Sequence, residues 1–251
     1  MRHTPHDTVS TQAHWSGQTV LIAGAGSGMG AALAHALAQR GARLVLMGRR
    51  LEKLHATADP LGAAVVGTHA LDIADGQALR AAVANYPTFD HLVSTVADLS
   101  FKPWQEQSDD DIERVMRGKF WGAVQLGRLL PTHVKTEGSL LLFTGVAAYR
   151  PAVGLGMVAA PNLMLQSVAE TLALEHRPRR VNAISPGVVD SGTWSHLSTN
   201  DRQALFDSVA SGLPVGRVGQ VQDLVHAAIA VLENQFINGT VVHVDGGARL
   251  V

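Results

Sequence analysis

The chain has 251 residues, 46% of them hydrophobic, and a formal net charge of −1 at pH 7. This length and hydrophobicity suffice for one domain with a large buried core. The near-neutral charge, without a run of lysine or arginine, argues against nucleic-acid or membrane-surface binding. The absence of cysteine excludes disulfides and cysteine-ligated metals and fits a reducing, cytoplasmic compartment. The twelve histidines lack the spacing of a metal site, so none is predicted.

Two segments of the chain lack the features of a targeting signal or a membrane-spanning helix. Residues 1–16 are polar and lack the apolar core of a signal peptide, so they predict a flexible N-terminal arm before a domain at 17–251. The longest uncharged stretch, residues 151–169, is interrupted by Pro161 and several polar residues. A helix that spans a bilayer is therefore not expected there.

Strand and helix signals alternate along the rest of the chain. Buried apolar runs predict seven strands, at residues 19–23, 43–47, 63–71, 91–96, 139–143, 180–184 and 240–244. Helical patterns lie between them, at residues 29–40, 51–58, 76–85, 108 to about 130, about 156–175 and 222–232. Such alternation requires crossover connections and predicts an α/β fold, a doubly wound parallel sheet with helices on both faces. Ligands of such sheets bind at the carboxyl ends of the strands.

A glycine cluster, AGAGSGMG, joins the first strand to the first helix. Gly24 permits a sharp turn, Gly28 lets the backbone approach a phosphate, and Gly30 lets the helix pack closely on the sheet. The amino end of the helix attracts negative charge. The cluster predicts a pocket for the diphosphate of a dinucleotide, whereas an ordinary strand–helix turn needs only one of these glycines.

Three further motifs accompany the glycine cluster: Asp72 after the third strand, Ser-Pro-Gly at 185–187, and Val-Asp-Gly-Gly at 244–247. With them the chain resembles the short-chain dehydrogenase/reductase family from about Thr19 to its last residue. The resemblance implies a single-domain Rossmann fold, a nicotinamide dinucleotide, a small-molecule substrate, and a homo-oligomer, either tetramer or dimer. It also implies a set of cofactor-binding residues, namely Gly24, Ser27, Gly28, Met29, Gly30, Asp72, Ile73, Val96, Ala97, Pro186, Gly187 and Ser191.

The residues after the second strand bear on which dinucleotide binds. NAD-preferring members of the family often carry an acidic residue there, but this chain has Gly48 followed by Arg49 and Arg50. A guanidinium fits a 2′-phosphate, which a carboxylate would repel. NADP(H) is therefore favoured over NAD(H). The alternative is that the two arginines belong to a surface turn.

The catalytic positions of the family are altered in this chain. The family uses a Tyr-x-x-x-Lys pair, an upstream serine and an asparagine, and the matching positions here are Met157, Pro161, Thr144 and Lys119. Methionine and proline cannot carry a proton, and no Tyr-x-x-x-Lys occurs anywhere in the sequence. The resemblance is thus to a divergent member without the usual tyrosine mechanism.

Three residues are candidates for replacement catalytic groups. Lys119 would point into the vacated site, where burial would lower its pKa, or it would be a surface lysine paired with a carboxylate. Thr144 keeps a hydroxyl for aligning a carbonyl. Tyr149 lies five residues further on, either at the border of the pocket or at the edge of the core.

These features predict an atypical NADP(H)-dependent oxidoreductase acting on a small carbonyl- or imine-like substrate. The alternative is a non-redox dinucleotide-binding member, such as a pseudoenzyme, a sensor, or a cyclase or isomerase. By resemblance, residues 188–219 form a lid over the substrate. Its apolar and aromatic residues, with Trp194 among them, suggest a partly hydrophobic ligand, or else a lid core or an oligomer contact.

Overall fold

Seven parallel strands form the central sheet of the computed structural model, which describes residues 15–251. The strands along the chain are β1 (Thr19–Ala23), β2 (Arg43–Gly48), β3 (Val65–Ala70), β4 (Phe89–Ser94), β5 (Val134–Phe143), β6 (Arg180–Pro186), β7 (Val189–Asp190), β8 (Gly219–Gln220) and β9 (Val241–Val244). The sheet has the order β3-β2-β1-β4-β5-β6-β9, and β7 pairs separately with β8. The predicted α/β fold with a seven-stranded parallel sheet is confirmed.

Helices lie at all six predicted positions, although one of them is interrupted, and the sequence analysis does not predict the helices at Leu130–His133 and Thr199–Gly212. Their bounds are α1 (Gly28–Ala38), α2 (Leu51–Ala58), α3 (Gly76–Val83), α4 (Asp109–Met116), α5 (Gly122–Gly127), α6 (Leu130–His133), α7 (Gly156–Glu175), α8 (Thr199–Gly212) and α9 (Val221–Glu233). The prediction of one continuous helix from 108 to about 130 is wrong. A π-helical turn at Arg117–Trp121 separates α4 from α5, and the Gly122 N–H donates to the Arg117 carbonyl five residues back. Glycines at both ends of this turn lower the helix propensity locally.

Alternate residues of the strands face two hydrophobic layers. Val20 and Ile22 of β1 pack with α1 and α9, whereas Leu21 and Ala23 pack on the opposite face, the face that α3, α5 and α7 cover. The strand order reverses between β1 and β4, whose carboxyl ends lie side by side. A crevice forms at such a switch point because the connections leave toward opposite faces of the sheet.

Trp15 belongs to the core, although the sequence prediction assigns it to the flexible arm. Its side chain is completely buried, and its indole Nε1 donates to Glu233 Oε1 at 2.6 Å. The ring also packs against His91, with 5.5 Å between the ring centroids. The arm prediction for residues 1–14 lies outside the described residues. The Trp15 side chain is therefore packed into the domain that the sequence analysis places at residues 17–251.

Within residues 15–251, no helix is both long and apolar enough to cross a bilayer. The same part of the chain holds no group of three or more histidine or carboxylate side chains arranged to bind a metal ion.

Replacing Trp15 with alanine should lower the free energy of unfolding by about 3–5 kcal/mol, because it removes a fully buried aromatic side chain and leaves a cavity. Chemical denaturation measures this loss. Trp121→Ala is the matched control, because that indole is 48% exposed and its loss should be small. Equal effects of the two substitutions would contradict the buried position of Trp15.

Candidate functional site

A cleft of about 870 Å³ opens at the carboxyl ends of the strands. All fourteen residues predicted to bind the dinucleotide line it, and so do Lys119 and Thr144 of the three predicted catalytic residues. The predicted cofactor residues found there are Gly24, Ser27, Gly28, Met29, Gly30, Arg49, Arg50, Asp72, Ile73, Val96, Ala97, Pro186, Gly187 and Ser191. The fold thus brings segments far apart in the sequence to one edge of the sheet.

The glycines after β1 make the turn that the sequence analysis requires. Gly24 has φ +86°, and a Cβ there would lie 2.6 Å from Thr95 Oγ1. A Cβ on Gly30 would lie 2.3 Å from the Gly24 carbonyl oxygen. Gly28 has φ +54°, and no described atom lies within 4 Å of the position its Cβ would take. Side chains are therefore excluded at Gly24 and Gly30, whereas the backbone at Gly28 faces open space.

The amino end of α1 is suited to an anion. Among the described residues, the N-cap Ser27 does not hydrogen-bond through its side chain to the first turn, and that turn contains no acidic residue. Backbone N–H groups at such an end have no partner within the helix, and the helix dipole adds positive potential. The geometry of the residues at this end of the cleft therefore fits a diphosphate.

Charged side chains surround the opposite end of the cleft, beyond β2 and β3. The Arg49 guanidinium, 60% exposed, donates from Nη2 to Asp98 Oδ1 at 3.1 Å. The Asp72 carboxylate accepts from Arg117 Nε at 2.6 Å and from the Ala74 backbone N–H at 2.9 Å. The sequence analysis assigned no role to Asp98, whose position after β4 is the only signal for its pairing with Arg49.

Lys119 lies on the floor of the cleft, in the π-helical turn. Its side chain is buried, with only 5% of the residue exposed, and Nζ donates to the Thr144 carbonyl oxygen at 3.2 Å. Burial lowers the pKa of this ammonium to about 8, and within residues 15–251 no carboxylate pairs with it. The alternative of a surface lysine paired with a carboxylate is therefore wrong.

The other two predicted catalytic residues are placed differently. Thr144 is buried beside Lys119, and its Oγ1 donates to the Ile184 carbonyl oxygen at 3.1 Å. Since a hydroxyl has one proton, Thr144 must rotate away from Ile184 before it can donate to a substrate. Tyr149 does not line the cleft: its hydroxyl donates to Gln166 Oε1 at 2.7 Å, and its ring packs on His243. Desolvation raises the pKa of Tyr149 further from neutrality.

At the two positions matched to the family's Tyr-x-x-x-Lys pair, Met157 and Pro161 are buried in α7. The next residue, Asn162, lines the cleft and is 1% exposed. Sequence reasoning missed it, because nothing in the spacing of α7 distinguishes this amide from a solvated one.

The two ends of the predicted lid, residues 188–219, lie side by side in the structure. The pairing of β7 with β8 sets Val189 beside Gly219. Trp194 lines the cleft, its Nε1 donates to the Val189 carbonyl oxygen at 3.0 Å, and its ring packs on Phe101, with 6.0 Å between the ring centroids. Phe206 of α8 is buried and so belongs to the core of this segment.

The sequence profile described as "Enoyl-(Acyl carrier protein) reductase" matches residues 24–249. Galactitol 2-dehydrogenase (L-tagatose-forming) of Cereibacter sphaeroides is 30% identical over 246 residues, which cover 92% of this chain and 94% of that protein.

Solved structures agree with the fold. The MalC reductase/Diels-Alderase of Malbranchea aurantiaca superposes with a TM-score of 0.87 at 26% identity, covering 96% of this chain and all of that one. A small-chain dehydrogenase in complex with NADPH superposes with a TM-score of 0.81 at 28% identity, covering 93% of this chain and 99% of that one.

The burial of Lys119 predicts how stability depends on pH. The lysine has a pKa of about 8 in the fold and an ordinary value of 10.5, so the unfolded chain binds more protons between these values. Stability should therefore rise with pH from about 8 to 10.5 in the wild type. Relative to Lys119→Met, the gain should be about 3 kcal/mol, since one pKa unit corresponds to about 1.4 kcal/mol.

Chemical denaturation of both proteins at pH 7, 8.5 and 10 measures this difference. Lys135→Met is the control, because Lys135 is exposed and paired with Asp90 at 2.7 Å. A difference in stability between the wild type and Lys119→Met that stays the same at the three pH values would contradict the lowered pKa.

Proposed function

Because the chain belongs to the short-chain dehydrogenase/reductase family, we propose that it is an atypical NADP(H)-dependent oxidoreductase acting on a small carbonyl- or imine-like substrate. The observation that carries this proposal is Lys119, a buried lysine on the floor of the cleft, hydrogen-bonded to the Thr144 carbonyl. A divergent site without Tyr-x-x-x-Lys needs another proton donor, and Lys119 has the position and the pKa for that role.

The cofactor assignment rests on the two ends of the cleft. The uncapped amino end of α1 would hold the diphosphate, and the remaining predicted cofactor residues would line the adenosine and nicotinamide portions. The cations Arg49, Arg50 and Lys53 border the cleft beyond β2, where a 2′-phosphate would add negative charge. The presence of these cations, together with a glycine and not an acidic residue at position 48, supports NADP(H) over NAD(H). A related structure contains NADPH, which agrees with this assignment.

A nicotinamide dinucleotide held by the residues of this cleft would supply or accept the hydride. In the reducing direction, Lys119 as the ammonium donates a proton to the substrate oxygen or nitrogen as negative charge develops there. In the oxidising direction, the neutral amine accepts that proton. The Thr144 carbonyl holds the ammonium in place, and the Thr144 hydroxyl would align the substrate after it leaves Ile184. A catalytic role for Tyr149 stays a prediction that its contacts with Gln166 and His243 do not support.

The substrate class follows from the walls of the cleft. Trp194 and Phe101 lie together at its border, and Leu155 and Val158 contribute apolar surface. We infer that residues 188–219 act as the lid and that the substrate is of medium size and partly hydrophobic. A homo-oligomer, dimer or tetramer, is supported by apolar side chains left exposed on α7, Leu163 and Leu174. A cytoplasmic location remains an inference from the absence of cysteine.

A second candidate function is that of a non-redox, dinucleotide-binding member of the family, such as a pseudoenzyme, a sensor, or a cyclase or isomerase. Two observations favour it: the sequence lacks Tyr-x-x-x-Lys, and a related protein is described as a reductase and Diels-Alderase. Such a protein would bind NADPH without consuming it during turnover. A screen of carbonyl and imine substrates that follows NADPH absorbance at 340 nm separates the two functions.

Arg49→Ala should weaken NADPH binding by about 1.5–3 kcal/mol, the range for a hydrogen bond to a charged group, and leave NADH binding nearly unchanged. Titration of each dinucleotide, followed by quenching of tryptophan fluorescence, measures both affinities. Arg43→Ala is the matched control, because Arg43 lies at the amino end of β2, whereas Arg49 follows the carboxyl end of that strand, where the cleft opens. Equal losses for NADPH and NADH would contradict the role of Arg49.

Lys119→Met should lower kcat/KM for NADPH-dependent reduction by about 10²–10⁴-fold, the usual contribution of a positioned proton donor. In the wild type, kcat/KM for reduction should fall as the pH rises through about 8, because the ammonium loses its proton there. Steady-state kinetics between pH 6 and 10 test both statements. Lys53→Met, the other lysine bordering the cleft, should keep the pH profile. An unchanged kcat/KM in Lys119→Met would contradict the assignment of Lys119 as the proton donor.

A further inference from the structure

The carboxylate of Asp98 reaches across the end of the sheet to a cation at the border of the cleft. Asp98 follows β4 and Arg49 follows β2, and the sheet order places β1 between these two strands. Neighbouring strands lie about 4.8 Å apart, so β2 and β4 are separated by about 10 Å. The 3.1 Å contact between Arg49 Nη2 and Asp98 Oδ1 therefore spans the carboxyl end of β1, where the glycine turn begins.

Asp98 is the fixed member of this ion pair, and Arg49 is the movable one. The Asp98 side chain is 14% exposed, whereas the Arg49 side chain is 60% exposed. A Cβ on Gly118 would lie 2.7 Å from Asp98 Oδ2, so the carboxylate packs against the π-helical turn at a position without a side chain. Arg114 Nη1 lies 4.0 Å from Asp98 Oδ1. The carboxylate therefore keeps a cation nearby when Arg49 moves away.

Arg49 differs from Arg50 and Lys53, the two other cations at this end of the cleft. In the part of the chain that the structure describes, neither Arg50 nor Lys53 forms an ion pair. The charge of Arg49, by contrast, is already matched by Asp98. A 2′-phosphate carries a charge of about −1.5 to −2 near pH 7. A phosphate that binds Arg49 would therefore meet a second anion at the same guanidinium.

Asp98 can act on phosphate binding in two opposite ways, by orienting Arg49 or by competing for it. Orientation contributes little, because solvent and salt screen an ion pair whose arginine is exposed. Competition combines two costs, since the pair must break and the two anions repel each other across a short distance. Competition is therefore the larger effect.

We propose that Asp98 is a specificity-determining residue that competes with the 2′-phosphate of NADP(H) for the Arg49 guanidinium. NAD(H) has an uncharged hydroxyl in place of this phosphate and leaves the ion pair intact. Asp98 thus narrows the preference for NADP(H) over NAD(H) that the cations create. This inference rests on the proposed function, in which the cleft binds a dinucleotide and Arg49 binds its 2′-phosphate.

The first test compares the wild type with Asp98→Asn, which keeps the shape of the side chain and removes its charge. Titrations with NADPH and NADH at about 0.15 M ionic strength are followed by tryptophan fluorescence. Asp98→Asn should bind NADPH about twofold to fivefold more tightly, the fold-change that corresponds to an exposed ion pair. Its affinity for NADH should equal that of the wild type, which also shows that the fold is intact. Weaker or unchanged NADPH binding, or an equal gain for both dinucleotides, overturns the proposal.

Two further variants separate competition for Arg49 from general repulsion of the phosphate. Glu113 borders the same cleft but, among the described residues, forms no ion pair with Arg49, so Glu113→Gln should leave NADPH affinity nearly unchanged. In the Arg49→Ala background, Asp98→Asn should also have little effect, because no guanidinium remains to compete for. A gain in either case as large as that of Asp98→Asn alone would mean general repulsion and overturn the proposal.

A final measurement distinguishes the failure of this proposal from the failure of the redox function. Adenosine 2′,5′-bisphosphate and AMP differ in the 2′-phosphate and lack the nicotinamide, so their binding, measured by calorimetry, does not depend on hydride transfer. Asp98→Asn should strengthen binding of the bisphosphate and not of AMP. If it does so but no carbonyl or imine compound oxidises NADPH, the redox function fails and the role of Asp98 stands. If NADPH is oxidised but Asp98→Asn changes neither affinity, the role of Asp98 fails alone.

Discussion

The close approach of Gly30 to Gly24 is the constraint on which the cleft depends. There is no room for even a methyl group between them, because a Cβ on residue 30 would lie 2.3 Å from the Gly24 carbonyl oxygen. Thr95 Oγ1 lies within hydrogen-bond distance of the carbonyl oxygens of Ala23, at 3.1 Å, and Gly24, at 3.3 Å, which ties the end of β4 to the same turn. β1, α1 and β4 are thereby held at the switch point of the sheet. The open amino end of α1 and the floor of the cleft follow from this packing.

The electrostatics of the cleft divide into two regions. At its border, cations and carboxylates pair in partly exposed positions, where each pair contributes little to stability. On its floor, Lys119 is buried against a backbone carbonyl, and Asn162 has no partner among the described residues. Both floor residues make the fold less stable than an apolar replacement would. The cleft thus concentrates its unfavourable free energy where the proposed chemistry takes place.

The parallel seven-stranded sheet, the glycine turn and the lining of the cleft could be predicted from the sequence, because strand ends in a parallel sheet meet at one edge. The directions in which individual side chains point could not be predicted from the sequence. The π-helical turn adds a residue to the α4–α5 register, which rotates later side chains by about 100° relative to a continuous helix. Tyr149 turns away because His243 and Gln166, distant in sequence, bind it. The pairing of Arg49 with Asp98 depends likewise on two strand ends 49 residues apart.

The short pairing of β7 with β8 has a consequence for how this fold acquires new specificities. The ladder holds both ends of the intervening segment together, Val189 beside Gly219 and Asp190 beside Gln220. For a flexible excursion with fixed ends, each doubling of length costs only about 0.6 kcal/mol of closure entropy. Insertions and deletions between the two strands can therefore accumulate during evolution without disturbing the sheet. The wall of the cleft can diverge in shape while the dinucleotide turn stays the same.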